Sequence, residues 1–298
     1  MRERALLIGE GQNLVGVLCE PEPAKKIAGA PAVLLWNVGI HHRVGPYRVF
    51  TDLARRLAAE GFTSLRFDVA GQGDSAPRRG VVEGNAHVAD VKEAMAFLEK
   101  KLGFKAFVPA AFCSGVDACH LLSVSDERVV GVIYIEPYAW RTPGFWVRYP
   151  LRFLDAARWK RRLANKQAAE EARGDDVALD PLAQEAAQKS DAAAGIVFSR
   201  GQPDRMKFGA EVAALAARGA RLLFLYFGGD TNVNHAGQLW QMIGRSPGEL
   251  GGKVEVVFDA RADHILYRPG DRARALDAMV AWTRRHFPPG VSPEPGVR

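Results

Sequence analysis

The chain has 298 residues, 48% of them hydrophobic and 25% charged, which is enough apolar material to fill a large core. This composition excludes disordered, membrane-spanning and disulfide-scaffold proteins, because no apolar run approaches the roughly 18 residues of a membrane span and only 3 cysteines are present. A net charge of +6 is too small an excess over this much surface to indicate nucleic-acid binding.

Apolar periodicity and turn residues predict strands and helices in alternation, the pattern of a mainly parallel sheet with helices on both faces. Arg4 to Gly9 and Leu14 to Glu20 are expected to pair first, as an antiparallel hairpin. The later predicted strands are 31–38, 62–69, 104–112, 129–136, 221–227 and 253–258. The predicted helices are one that contains Phe50 to Leu57 and ends at Gly61, one over 85–102, one that opens near Ser114, and three over 204–219, 234–243 and 271–287.

Residues 138–202 interrupt this alternation, since they contain helical stretches but no buried-strand run. We predict that they form a helical lid inserted into a core of residues 1–137 and 203–287, with 288–298 as a loose C-terminal tail. The first half of the insertion is rich in aromatic and basic side chains. Two interpretations stay open: the basic side chains lie along the surface in water, or they receive an anionic partner such as a carrier-linked acyl group or a phospholipid surface.

The most informative segment is residues 111–115, Ala-Phe-Cys-Ser-Gly, between an apolar strand and a helix. In a nucleophile elbow of the G-x-S-x-G type, the turn leaves room only for small residues two positions either side of the nucleophile. Ala111 and Gly115 meet that demand if Cys113 is the centre, whereas centring the motif on Ser114 places larger side chains there. The following helix N-terminus also favours a thiolate. The alternative is an ordinary buried cysteine, which is our interpretation of Cys19 and Cys119.

The loop after the first long strand, residues 37–40, lies where this architecture draws one oxyanion donor. We assign the two donors to the backbone N–H groups of Ile40 and Ser114. Gly39 and His41 are candidate substrate contacts, although Gly39 alone also fits a plain turn at a strand end. Because His41 and His42 have no nearby carboxylate or cysteine, no metal site is predicted.

An acid and a base are expected later in the chain, at the ends of two further strands. Asp230 follows the strand 221–227 through two glycines, and His264 follows the strand 253–258 through a short loop. The order nucleophile, acid, histidine is that of an α/β-hydrolase triad, so we predict Cys113, Asp230 and His264 as catalytic. Asp259 is a possible second choice of acid, and Asp263 a poorer one.

With these segments together, the chain resembles the α/β-hydrolase superfamily over nearly its whole length, and most closely the exosortase A system-associated hydrolases, in which cysteine replaces serine in the elbow. The local similarities are Arg43-Val44-Gly45, Leu65 to Asp68, Gly71 to Ser75, Phe112 to Ser114, Glu136-Pro137-Tyr138 with Arg141-Thr142, and Asp263-His264. Ala111 departs from the usual glycine.

This resemblance implies an α/β-hydrolase fold with a mainly parallel central sheet, and hydrolysis of an ester or thioester through an acyl-enzyme. It leaves the natural substrate open. We expect a small-molecule acyl substrate, with neither a metal nor an organic cofactor and with no nucleic acid as partner. Tyr138, Trp140 and Trp146 are further candidate substrate contacts. Two rivals remain: an acyltransferase with the same triad, and a non-catalytic binding protein of the same fold.

Two features bear on the cellular compartment. The three charged residues at positions 2–4 and the short apolar run before Gly9 do not make the apolar stretch of a secretory signal peptide. The small, odd number of cysteines suits a reducing environment. We therefore expect a cytoplasmic protein.

Overall fold

A single eight-stranded sheet organises the chain, seen in a computed structural model that describes residues 1–9, 11–37, 39, 41–78, 80, 84–150, 202–228 and 232–290. Its strands are β1 (Arg2–Ile8), β2 (Leu14–Glu20), β3 (Ala32–Trp36), β4 (Ser64–Phe67), β5 (Phe107–Phe112), β6 (Gly131–Ile135), β7 (Arg221–Phe227) and β8 (Val254–Asp259). Their order across the sheet is β1-β2-β4-β3-β5-β6-β7-β8. The first two strands pair antiparallel, as predicted, β2 pairs antiparallel with β4, and all other pairs are parallel.

The described helices are α1 (Val49–Ala59), α2 (Ala86–Leu102), α3 (Gly115–Ser125), α4 (Pro143–Arg148), α5 (Arg205–Ala217), α6 (Gln238–Ile243) and α7 (Pro269–His286). Local chemistry sets their ends. The Asn85 side chain accepts a hydrogen bond from Val88 N at 3.1 Å and so caps the start of α2, and Gly103, at φ +76°, ends that helix.

The core lies on both faces of the sheet. Strands β3, β5 and β6 are buried along their whole length, because helices cover both sides of these central strands. Parallel strands end at the same edge, and the carboxyl ends of β3, β5, β6, β7 and β8 therefore deliver their following loops to one side of the molecule.

The prediction of one helix over 234–243 is wrong in its first half, since helical backbone begins only at Gln238. The Gln238 side chain is fully buried, and its hydrogen bonds hold the loop where a helical turn was predicted. Its Oε1 accepts from Asn234 N at 3.1 Å, and its Nε2 donates to Asn232 O at 2.5 Å. A glutamine folded back on the preceding loop cannot be distinguished by periodicity from one on a helix face.

The chain divides into two compact units, Met1–Thr142 with Gly201–Arg298, and Pro143–Arg200. In the second unit the described residues include α4, where the rings of Phe145 and Trp146 meet edge to face at 5.3 Å. Most of the predicted lid, 151–201, and most of the predicted tail, 291–298, lie outside the described residues, so the lid stays a prediction. Within the described part, no helix is both long and apolar enough to cross a membrane.

The contact between α5 and α6 gives a test of the packing. A Cβ on Gly209 would lie 2.2 Å from Ile243 O, a backbone atom that cannot move aside cheaply. We expect Gly209→Ala to lower the free energy of unfolding by about 1–3 kcal/mol in urea denaturation. Gly248→Ala, where a Cβ meets nothing within 4 Å, is the control and should show no such loss.

Candidate active site

Cys113 occupies a sharp turn between β5 and α3. Its φ is +48°, a left-handed conformation that non-glycine residues adopt at some cost and that is enriched at functional sites. Its N–H donates to Ile135 O at 2.9 Å, and its C=O accepts from Val116 N at 3.0 Å. The turn thus continues the sheet pairing on one side and starts the helix on the other.

The space around this turn fits the elbow register predicted from the sequence. A Cβ on Gly115 would lie 3.0 Å from Asn37 O and 3.7 Å from the Ala111 Cβ, so the two flanking positions face one another with little spare room. Ser114 has ordinary helical angles, φ −62° and ψ −25°. The strained residue at the centre of the elbow is therefore Cys113 and not Ser114.

The three cysteines differ in their surroundings. Cys19 and Cys119 are fully buried, whereas Cys113 is partly exposed. Burial raises the pKa of Cys19 to about 11 and the pKa of Cys119 further above its ordinary range. Two of the three thiols are therefore held in the unreactive protonated form.

His264, in the loop after β8, contacts the elbow. Its side chain is hydrogen-bonded to Cys113, and its Nδ1 lies 2.9 Å from Glu136 Oε2. These two bonds raise the pKa of His264 to about 10 against the opposing effect of burial, and the bond to Cys113 has the larger effect. The imidazole is therefore protonated at neutral pH, between an acidic partner on each side.

Glu136 is the carboxylate that sequence reasoning missed. It follows β6 directly, is 2% exposed, and has φ +51°. Its Oε1 accepts a hydrogen bond from Phe227 N while its Oε2 faces His264, so the buried carboxylate joins β7 to the histidine loop. Phe112 and Ile135 are paired in the sheet. Cys113 and Glu136 directly follow these two residues at the ends of neighbouring strands, and both have a left-handed backbone.

The two lesser acid candidates from the sequence, Asp259 and Asp263, have other partners. Asp230 lies outside the described residues, and its role stays a prediction. Asp259 pairs with Arg274 at 2.6 Å, and Asp263 accepts backbone hydrogen bonds from its own loop. A charged residue directly at the end of a buried strand was the signal that could have pointed to Glu136.

The oxyanion loop after β3 also forms a hydrogen bond with the elbow. Gly39, at φ +52°, donates its N–H to Ser114 Oγ at 2.8 Å. Ile40, the predicted donor next to it, lies outside the described residues. A loop amide therefore points at the first turn of α3, where an oxyanion hole of this fold is built.

A fully buried carboxylate fixes the two ends of this loop. Asp68 Oδ1 accepts from Asn37 Nδ2 at 2.9 Å and from Arg43 N at 2.6 Å, and the Arg43 guanidinium pairs with the other oxygen. Asn37 in turn accepts from Val69 N at 2.6 Å and donates to His41 O at 3.1 Å. A Cβ on Gly73 would lie 2.5 Å from the carboxylate, so glycine is required there.

Comparison with known proteins supports this fold. Residues 35–256, more than half of the chain, match the family model described as serine aminopeptidase, S33. The chain belongs to this S33 family of α/β hydrolases. A search among curated proteins gives no match.

Solved structures similar to this S33 family member share its fold at low sequence identity. An esterase from Pyrococcus furiosus is 13% identical with a TM-score of 0.57, over 96% of this chain and 91% of that one. An α/β serine hydrolase without lid from Xanthomonas campestris is 16% identical with a TM-score of 0.52, over 96% and 94%. A putative dienelactone hydrolase from Klebsiella pneumoniae is 14% identical with a TM-score of 0.52, over 95% and 98%.

The predicted substrate contacts of this S33 hydrolase fall in different places. Tyr138 is buried, and its ring packs on Phe208 at 5.2 Å, while Trp140 packs on the same phenylalanine at 5.6 Å. The His41 side chain is exposed beside the oxyanion loop. Trp146 belongs to the second unit. Their roles in binding stay predictions, and among the described residues no cluster could hold a metal ion.

Asp68 should be essential for the stability of this S33 hydrolase. We expect Asp68→Asn to lower the free energy of unfolding by about 3 kcal/mol, because Arg43 loses its buried carboxylate partner and keeps only the exposed Asp74. The measurement is urea denaturation. Asp74→Asn is the matched control, since Asp74 pairs with the same arginine but is 66% exposed, and it should change stability by less than about 1 kcal/mol. Equal losses in the two variants would contradict this account.

Proposed function

We propose that this protein hydrolyses esters or thioesters with Cys113 as nucleophile, His264 as acid and base, and Glu136 as the carboxylate that holds the histidine. One observation carries the proposal: the His264 side chain is hydrogen-bonded to Cys113 and Glu136 at the same time. An imidazolium between a thiol and a carboxylate stabilises the thiolate, which is the reactive form of cysteine.

The reaction begins with attack of the Cys113 thiolate on the acyl carbonyl carbon. A carbon–sulfur bond forms, and the carbonyl π electrons move onto oxygen, where the Ser114 N–H and the predicted Ile40 N–H stabilise the charge. The oxyanion then collapses, the bond to the leaving group breaks, and His264 donates its proton to the departing alcohol or thiol.

Water next hydrolyses the acyl-thioester. Neutral His264 takes a proton from the water as its oxygen bonds to the acyl carbon, and collapse of the second oxyanion expels the Cys113 thiolate with the acid as product. Glu136 keeps its negative charge throughout. Its buried position and its bond from the Phe227 N–H fix the Nδ1 side of the ring, so that Nε2 serves the reaction.

The proposed substrate class, an ester or thioester, is inferred from this site. The identity of the substrate depends on other parts of the chain. An anionic or carrier-linked acyl group, proposed from the basic insertion, depends on residues 151–201, which lie outside the described residues. Short-chain chromogenic esters and thioesters are therefore the first substrates to use.

Cys113→Ala should abolish turnover of such esters and thioesters, because the proposed acyl-enzyme forms on the Cys113 sulfur. Stability should change by no more than about 1–2 kcal/mol, since only a small side chain is trimmed. Cys119→Ala, in the adjoining helix, is the control and should stay active. Full activity in Cys113→Ala together with inactive Ser114→Ala would show that the nucleophile is the serine.

The raised pKa of His264 gives a pH test that also separates the two candidate acids. The imidazolium persists through neutral pH and is lost as the pH rises through about 10, so kcat/KM should fall on the alkaline side there. Glu136→Gln removes the carboxylate that stabilises the imidazolium, which lowers the pKa of His264 and moves this alkaline limb to lower pH.

Two measurements check this shift: the pH profile of kcat/KM and the NMR titration of labelled histidine. Asp230→Asn tests the other candidate acid, and under this proposal it should leave both unchanged. If Asp230→Asn moves the limb and Glu136→Gln does not, Asp230 is the carboxylate of the triad and the role proposed for Glu136 is wrong.

A further inference from the structure

Ser114 stands at the start of α3, yet its side chain does not serve the helix. A serine in this position ordinarily accepts a hydrogen bond from an amide of the first helical turn. Here no such bond exists between the Ser114 side chain and the helix. Instead Ser114 Oγ accepts the N–H of Gly39 at 2.8 Å, across 75 positions of sequence.

The direction of this bond leaves the hydroxyl proton available. Gly39 has only an N–H to give, so Ser114 Oγ is the acceptor in the pair, and the hydroxyl hydrogen points to another partner. Among the described residues, no acceptor receives that hydrogen in the resting protein. A hydroxyl that accepts from an amide is also a stronger donor, because the first bond polarises it.

This hydroxyl lies next to the elements that are expected to stabilise negative charge on the substrate. Ser114 directly follows Cys113, and its Oγ lies within hydrogen-bond distance of the oxyanion loop, so it sits between the two elements that build an oxyanion hole. An oxyanion bound to Cys113 is a charged acceptor, which forms a shorter and stronger bond than a neutral carbonyl does.

We propose that Ser114 is a catalytic residue that acts twice, with its backbone N–H and with its hydroxyl as an additional donor to the oxyanion. Gly39 holds the hydroxyl in place by its N–H. This inference rests on the proposed function of Cys113. The bond should strengthen as the carbonyl becomes an oxyanion, so it should affect kcat more than KM.

The opposite reading of the same bond is that Ser114 Oγ blocks the Gly39 N–H in the resting protein and must move aside. The two interpretations predict opposite effects on activity when the hydroxyl is removed. A blocking hydroxyl predicts that its removal raises activity, whereas a donating hydroxyl predicts that its removal lowers activity.

The experiment compares Ser114→Ala with Ser114→Thr, which keeps a hydroxyl. We expect Ser114→Ala to lower kcat by roughly 100-fold on a short-chain thioester, with KM changed by no more than about twofold, and Ser114→Thr to retain most of the activity. Ser123→Ala is the matched control. Ser123 lies on the same helix and its Oγ donates to Cys119 O at 2.7 Å, so its loss tests for a general effect on α3.

A second readout tests the oxyanion itself. An aldehyde forms a hemithioacetal with Cys113, in which the former carbonyl oxygen occupies the oxyanion position. The inhibition constant of the aldehyde should therefore rise in Ser114→Ala by a factor similar to the loss in kcat. A purely structural role would not produce this change. Thermal melts of all variants establish that they are folded.

Unchanged or raised kcat in Ser114→Ala, or a loss in kcat without weaker aldehyde binding, overturns the proposal. A similar loss in Ser123→Ala also overturns it, because the effect then belongs to the helix. Activity that survives in Cys113→Ala overturns the proposed function instead, whatever the Ser114 variants do.

Discussion

The left-handed backbone at Cys113 is the constraint on which the rest of the site depends. It turns the chain from the centre of the sheet into a helix within two residues, and it demands small neighbours at Ala111 and Gly115. The same turn brings the first amides of α3 against the oxyanion loop, where Ser114 meets Gly39. The left-handed torsion at Cys113 thus brings together the proposed nucleophile, the helix N-terminus and the loop amide.

A buried polar framework keeps that assembly in place. Asp68 joins the beginning and the end of the oxyanion loop, and Glu136 joins β7 to the histidine loop. Each carboxylate accepts hydrogen bonds from backbone amides, so each is satisfied in surroundings where an unpaired charge would be costly. Rigid supports of this kind allow reactive side chains to stay in position without relying on the loops themselves.

The sequence predicted the fold because its signals are local: buried apolar runs, helical spacing and small residues around a turn. It predicted the elbow at Cys113 for the same reason, since Ala111 and Gly115 stand beside it in the chain. It did not identify Glu136, because the contact with His264 joins residues 128 positions apart and depends on which strands are neighbours. Likewise, only the folded chain reveals that Gln238 bonds to the loop before its helix.

The pair of left-handed residues at Cys113 and Glu136 has a consequence for engineering. Each costs the fold on the order of 1–3 kcal/mol that a glycine would not. Glycine at either position would relax the backbone and, in the same step, delete a thiol or a carboxylate of the site. A screen that rewards heat resistance alone therefore selects against these two side chains, and useful stabilising changes have to be sought away from this edge of the sheet.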